Sequence, residues 1–215
     1  MNVTYIDHMG SDLTVVNSAR VSFNKESQLE QKVGHSDLSD KDVKLIKYLA
    51  DHGHWSPFSH CSIQFRIEAP LFVARQLVKH QVGLAWNEVS RRYVDSLPSF
   101  YTPKMLRKRA DNVKQGSSDE QVEYDISQYT LLDAGIAPEL ARMVLPQNMY
   151  TEWYWSGSLY AFARVCKQRL DSTSQKETQY IADLISQECA RHFKHSWKQL
   201  TGEEYRVRND KQYIE

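Results

Sequence analysis

Residues 75–93 read RQLVKHQVGLAWNEVSRRY. Arg75, Lys79, His80, Arg91 and Arg92 stand there against a single acid, Glu88, with Gln76, Gln81, Asn87 and Ser90 between them. Pro70 suits a first helical turn, and Phe72, Leu77 and Val78 supply apolar contacts, so the stretch begins as the end of a helix. Gly83 breaks that pattern. No clean period survives from Val82 to Tyr93, which predicts an ordered loop. Arginine forks match phosphate or carboxylate oxygens in pairs, and serine and backbone N–H groups add neutral donors. Such a loop suits a polyanion; a solvated basic surface turn is the other reading.

Working outward, residues 61–68 give the clearest strand: Cys61, Ile63, Phe65 and Ile67 alternate with Ser62, Gln64, Arg66 and Glu68. Before it, Ser39 caps a helix, with Asp42 three residues on. Val43, Ile46 and Ala50 make one line on that helix, Leu45 and Leu49 the next, and it stops near Gly53. Asn2–Asp7 suits an edge strand. Asp12–Arg20 suits a short helix with Asp12 as cap, strand being the alternative because of its β-branched residues. Asn24–Ser36 is polar and reads as a loop. His52, His54 and His60 invite a metal reading, but no carboxylate or thiol completes a zinc spacing, so no metal is assigned. His60 also suits a satisfied interior position.

Beyond Tyr93, Ser96–Pro103 is extended. Lys104–Lys114 is basic, either one solvated helix face or a nucleic-acid contact, and Ser117–Glu123 is an acidic loop. Helices are expected from about Tyr124 to Asp133 and from Pro138, the latter carrying Arg142. The aromatic Met149–Trp155 run, read as helical with surplus apolar surface, leads into a helix from about Ser158 to Leu170. Its core line is Leu159, Phe162, Ala163 and Cys166. Gln175–Lys194 is the last long helix, striped by Ile181, Leu184, Ile185 and Cys189.

At 215 residues, one domain over 1–215 is expected. Lys plus Arg number 27 and Asp plus Glu 27, a balance that argues against a general nucleic-acid binder. No apolar run is long enough for a membrane span. The N-terminus lacks the order of a signal peptide. Cys61, Cys166 and Cys189 are odd in number and widely spaced, as for reduced thiols in a cytoplasmic protein.

The 75–93 stretch resembles the signature loop of the flavin-dependent thymidylate synthases, whose pattern is Arg-His-Arg, seven residues, then Ser. Here Lys79-His80-Gln81 replaces both arginines, and eight residues separate Gln81 from Ser90, the extra one lying within Val82–Trp86. Two further segments are similar. Gly53, His54, Ser56, Pro57, Phe58 and His60 match a Gly-His-x-Thr/Ser-Pro-Phe-x-His segment. Ala141-Arg142, Leu145-Pro146 and Tyr150-Thr151 match another, and Arg169, Asp171 and Gln175 follow at a helix end. The resemblance runs from about Leu13 to Trp197.

The resemblance implies an α/β (α+β) fold, a twisted mixed β-sheet flanked by helices. It implies methylation of dUMP to dTMP, with methylenetetrahydrofolate as carbon donor, reduced FAD as hydride donor and NADPH as reductant. It implies a homotetramer with shared active sites. Gln76, Glu88, Ser90, Arg91, Arg92, Arg142 and Arg169 would bind the nucleotide, with Arg169 and the Ser90 region at the chemistry. His54, Ser56, Lys79, His80, Gln81, Glu88, Arg164 and Thr173 would face the FAD. The altered positions there, with Ser158 and Tyr160, keep two alternatives open. One is hydroxymethylation of dUMP or action on dCMP. The other is a non-catalytic nucleotide- or nucleic-acid-binding derivative. Trp86 is placed either on a ligand ring or in the core.

Overall fold

The computed structural model describes residues 1–94, 96–103, 105–109, 117–123 and 146–204. In chain order these give β1 (Asn2–Met9), α1 (Asp12–Arg20), β2 (Glu30–Lys32), β3 (His35–Asp37), α2 (Asp40–Asp51), α3 (Ser56–Ser59), β4 (Ser62–Pro70) and α4 (Leu71–Leu77). They continue with β5 (Leu84–Glu88), β6 (Met105–Arg109), β7 (Ser117–Glu123), β8 (Tyr150–Ser158), α5 (Leu159–Arg169), α6 (Lys176–His192) and α7 (Lys194–Thr201). The helices expected over Tyr124–Asp133 and from Pro138 lie outside the described residues.

The main sheet has the order β1-β4-β8-β5. This is the α/β arrangement of a sheet flanked by helices that the resemblance implies; among the described residues all three of its strand pairings are antiparallel, where a mixed sheet was expected. Its long central pair sets Ile63 opposite Gly157, Phe65 opposite Trp155 and Ile67 opposite Trp153. The side chains of Ile63, Phe65, Ile67, Trp153 and Trp155 form the inner face and are buried. Phe162 of α5 meets both Phe65 and Trp155 edge-on, each at 5.2 Å between ring centroids. The opposite face is polar: Gln64 donates to Ser156 Oγ at 2.7 Å, and Arg66 pairs with Glu152. Pro70 and Ser158 occupy the N-cap positions of the helices that follow β4 and β8. Because the two strands run antiparallel, α4 and α5 leave the sheet at opposite ends.

The loop expected over Val82–Tyr93 contains strand β5. Leu84 and Trp86 face Gly157 and Trp155 of β8. The pairing depends on two glycines. Gly83 has φ +77°, and a Cβ on Gly157 would lie 2.5 Å from Gly83 O and also collide with Leu84. Met149–Trp155 is likewise not helical; Tyr150–Ser158 is a strand whose Trp153 and Trp155 fill the core. Within the basic Lys104–Lys114 run, Met105–Arg109 is a strand paired with Ser117–Glu123, which is not a loop.

Smaller corrections follow from long-range contacts. Ser11, not Asp12, is the N-cap of α1. Asp12 instead accepts from the backbone N–H groups of His195 and Ser196, each at 2.8 Å, at the start of α7. The Asn24–Ser36 loop holds the first strand of the β2–β3 hairpin and most of the second. The helix read as the last one ends at His192, and α7 follows after buried Phe193. Ser39 caps α2 as expected, accepting from Asp42 N–H at 3.2 Å. Val15 and Val16 of α1, Ile46 and Leu49 of α2, and Ile181, Ile185 and Cys189 of α6 join the core.

Candidate active site

α4 and the end of α5 meet around Arg169. Its Nε donates to His80 Nε2 at 2.9 Å, and its Nη2 donates to the Gln76 carbonyl at 2.8 Å. A guanidinium only donates, so His80 Nε2 must hold its lone pair and the ring proton sits on Nδ1. Burial, followed by the charges of Arg169 and Arg164, holds the His80 pKa below its ordinary value. The ring is therefore a neutral acceptor that fixes the guanidinium plane. Nη1 of Arg169 makes no bond among the described residues, which leaves a cation with free donors.

The Gln76 side chain is committed to the protein. It bonds Phe72 O, Gln175 and Thr178 at 3.3, 2.6 and 3.0 Å. The resemblance marks Gln175 as a matching position without a role, and nothing in the sequence marks Thr178, because only tertiary contact brings α6 to α4.

A cleft of about 610 Å³ opens on another side of α4. Arg75, Glu88, Ser90 and Arg91 line it, with Tyr150 and Thr151 from the start of β8. Gln76, His80 and Arg169 do not. Both oxygens of the Glu88 carboxylate are held: Thr151 Oγ1 donates to one at 2.7 Å and Trp86 Nε1 to the other at 3.2 Å. Trp86 itself stacks on Trp153, 4.4 Å between centroids, and packs against the core while partly exposed. Ser90 Oγ accepts from Arg92 Nε at 3.2 Å, and the Arg92 guanidinium lies 4.9 Å from the Tyr93 ring centroid. Arg91 donates to the Ser96 carbonyl.

Among the residues assigned to the flavin, His80 joins Arg169, whereas Lys79, Gln81 and Arg164 are exposed. Neither Lys79 nor Arg164 has an ion-pair partner among the described residues. His54 and Ser56 are exposed at the turn into α3, with His54 edge-on to Tyr48 at 5.9 Å. His60 is exposed rather than interior. Thr173 Oγ1 donates to Asp171 at 2.6 Å. Arg142 lies outside the described residues. Among those residues, no three His, Cys, Asp or Glu side chains gather as metal ligands. No helix there is long and apolar enough to cross a membrane.

All three thiols are free and buried. Burial, then the charge of Asp12, pushes Cys61 up to about 12. Burial raises Cys166 and Cys189 as well. None is a thiolate nucleophile at neutral pH.

The chain is similar to known proteins over most of its length. A family model described as thymidylate synthase complementing protein matches residues 4–193. The flavin-dependent thymidylate synthase of Thermotoga neapolitana is 36% identical over 189 residues, covering 86% of this chain and 83% of the relative. That of Thermosipho africanus is 35% identical over 204 residues, covering 86% and 85%. Among solved structures, the UMP/dUMP methylase PolB from Streptomyces cacaoi, bound with 5-Br dUMP, superposes with a TM-score of 0.75 at 27% identity, covering 94% of each chain. The family match over residues 4–193 and relatives at this identity and coverage show that the chain belongs to the thymidylate synthase complementing protein family.

Proposed function

We propose that this chain methylates dUMP to dTMP, taking the carbon from methylenetetrahydrofolate, with FAD as resident cofactor and NADPH as its reductant. The carrying observation is a fixed cation in a chain without an activated thiol. Arg169 is held at two of its nitrogens, while burial keeps every cysteine protonated. Activation of the pyrimidine ring then rests on preorganised positive charge: Arg169 stabilises electron density developing on the ring. Ser90, Arg91 and Arg92 bind the phosphate and sugar, Glu88 orients the nucleotide, and Arg142 joins them by the resemblance. Ser90 acts as a binding hydroxyl, since its partners are the N–H groups of Arg92 and no base among the described residues bonds to it.

The donor set suits a flavin dinucleotide. Lys79 and Arg164 are exposed cations near neutral His80, the chemistry a diphosphate requires. His54, Ser56, Gln81 and Thr173 complete that side with neutral donors and acceptors. When bound, reduced FAD supplies the hydride.

The site is shared between copies in a homotetramer. The supporting observation is that adjacent Arg75 and Gln76 face different sides of α4, one lining the cleft and the other joining Arg169 through its backbone carbonyl. A nucleotide in reach of both residue sets is accommodated when one copy supplies each.

A second substrate, UMP, is favoured by the neighbouring methylase, which has also been solved with 5-Br UMP. Mass spectrometry of products from dUMP, UMP and dCMP tests the reading. dTMP from dUMP is expected. A hydroxymethylated product, turnover of dCMP alone, or binding without turnover would replace it with the corresponding alternative.

A further inference from the structure

Gln175 stands at the N-cap of α6, yet its side chain makes no cap hydrogen bond. It turns to Gln76 instead. The direction of each bond in this group follows from one fixed point. One end of the Gln76 amide lies 3.3 Å from the Phe72 backbone carbonyl, which can only accept. That end is therefore the –NH2, and the other end is the oxygen. Thr178 Oγ1, at 3.0 Å, must donate to that oxygen, and Thr178 is completely buried. The second N–H of Gln76 points at Gln175, so the near atom of Gln175, at 2.6 Å, is its oxygen. The far atom is its –NH2. It donates to nothing among the described residues, and the residue is exposed.

Gln76 thus anchors two side chains. Its carbonyl holds Arg169 and its amide holds Gln175. Both present donors outward and neither presents an acceptor. We propose that Gln175 is a specificity-determining residue whose amide N–H2, beside Arg169, donates to the C4 carbonyl of the pyrimidine, with Gln76 and Thr178 as the residues that position it. The inference rests on the pyrimidine-nucleotide reading above. Uracil carries carbonyls at C2 and C4. Cytosine carries an amino group at C4, which would set donor against donor. Both rings keep an acceptor at C2, so the selection lies at C4, where a donor meets the uracil carbonyl and is opposed by the cytosine amino group.

The test is calorimetric titration of the full chain with dUMP and with dCMP. The wild type should prefer dUMP. Gln175→Glu keeps an oxygen facing Gln76 and turns an acceptor outward, so dUMP affinity should fall about tenfold or more, the scale of one lost hydrogen bond. The added charge weakens both nucleotides, so the ratio of their affinities is the diagnostic quantity; it should move toward dCMP by about tenfold. Thr178→Val frees the Gln76 amide to rotate. It should weaken dUMP several-fold while the thermal midpoint stays within a few degrees, and Thr178→Ser should restore binding. An unchanged dUMP/dCMP ratio in Gln175→Glu, with the wild type still binding dUMP, overturns this inference and leaves the proposed function standing. A wild type that binds neither nucleotide overturns both.

Discussion

Acidification and replacement of His80 should weaken turnover by the same route, the release of Arg169. The hydrogen bond from Arg169 Nε requires a lone pair on His80 Nε2. Protonating the ring would set two donors against each other at 2.9 Å. Burial and the Arg169 and Arg164 charges place the folded pKa of His80 below its ordinary 6.5. The group is a base whose folded value is depressed, so its contribution is fully present above 6.5 and is lost as pH falls through the lowered folded value. Stability and activity decline in the same window.

Such bonds, with one charged partner, contribute ~1.5–3 kcal/mol. His80 is only partly buried, and solvent pulls the figure to the lower end, about 1.5 kcal/mol. That converts to about tenfold in kcat/KM. The assay is steady-state dTMP formation between pH of about 5.5 and 8, the range in which histidine titrates. His80→Gln retains an acceptor that gains no proton. It should keep most of the activity and lose the acid limb. His80→Ala should run about tenfold slower throughout. An acid limb shared by wild type and His80→Gln, or wild-type kcat/KM in His80→Ala, would refute the role given to this ring.

Three stability predictions accompany it. Asp42 is 2% exposed and accepts from Arg20 Nη2 at 2.6 Å, from Ser27 and from Ser39. Arg20→Ala strands that carboxylate and should cost ~3 kcal/mol, lowering the thermal midpoint by roughly 6–12 °C, and Asp42→Asn in the same chain should recover part of it. Gly157→Ala forces a Cβ onto the Gly83 carbonyl and should cost ~1–3 kcal/mol, with faster amide exchange confined at first to Leu84–Glu88. Asp37 accepts from His195 at 2.8 Å; although burial opposes ionisation, the bonds from His195 and the Leu38 N–H, with the Lys194 charge, hold its pKa below the ordinary 3.8. Its stabilisation is present above that value and lost as pH falls below it, so Asp37→Asn should lower the midpoint by ~2–4 °C at neutral pH and flatten this acid dependence.

What could be read in the sequence was what local period encodes. The β4 alternation from Cys61 to Ile67 and the core line of α5 both stand as read, because each needs only one buried face. β5 was lost because Leu84 and Trp86 are only two inward positions beside a flexible glycine, and their partners lie on β8, far along the chain. The β8 aromatics pointed to burial but were assigned the wrong element: Trp153 and Trp155 alternate as a strand requires. Asp12 resembled a local cap and serves a helix more than 180 residues away. At the site, the resemblance located Arg169 and His80 separately. Their bond, the neutral state it imposes and the Thr178–Gln76–Gln175 group depend on helix packing that no spacing records.

The most direct measurement of the central claim is flavin absorbance of the full chain under anaerobic conditions. With FAD added, NADPH should bleach the flavin band. Addition of dUMP and methylenetetrahydrofolate should then restore it, with one dTMP formed per flavin oxidised. Absence of FAD binding at every concentration tried, or recovery of the band without a methylated pyrimidine, would contradict the account.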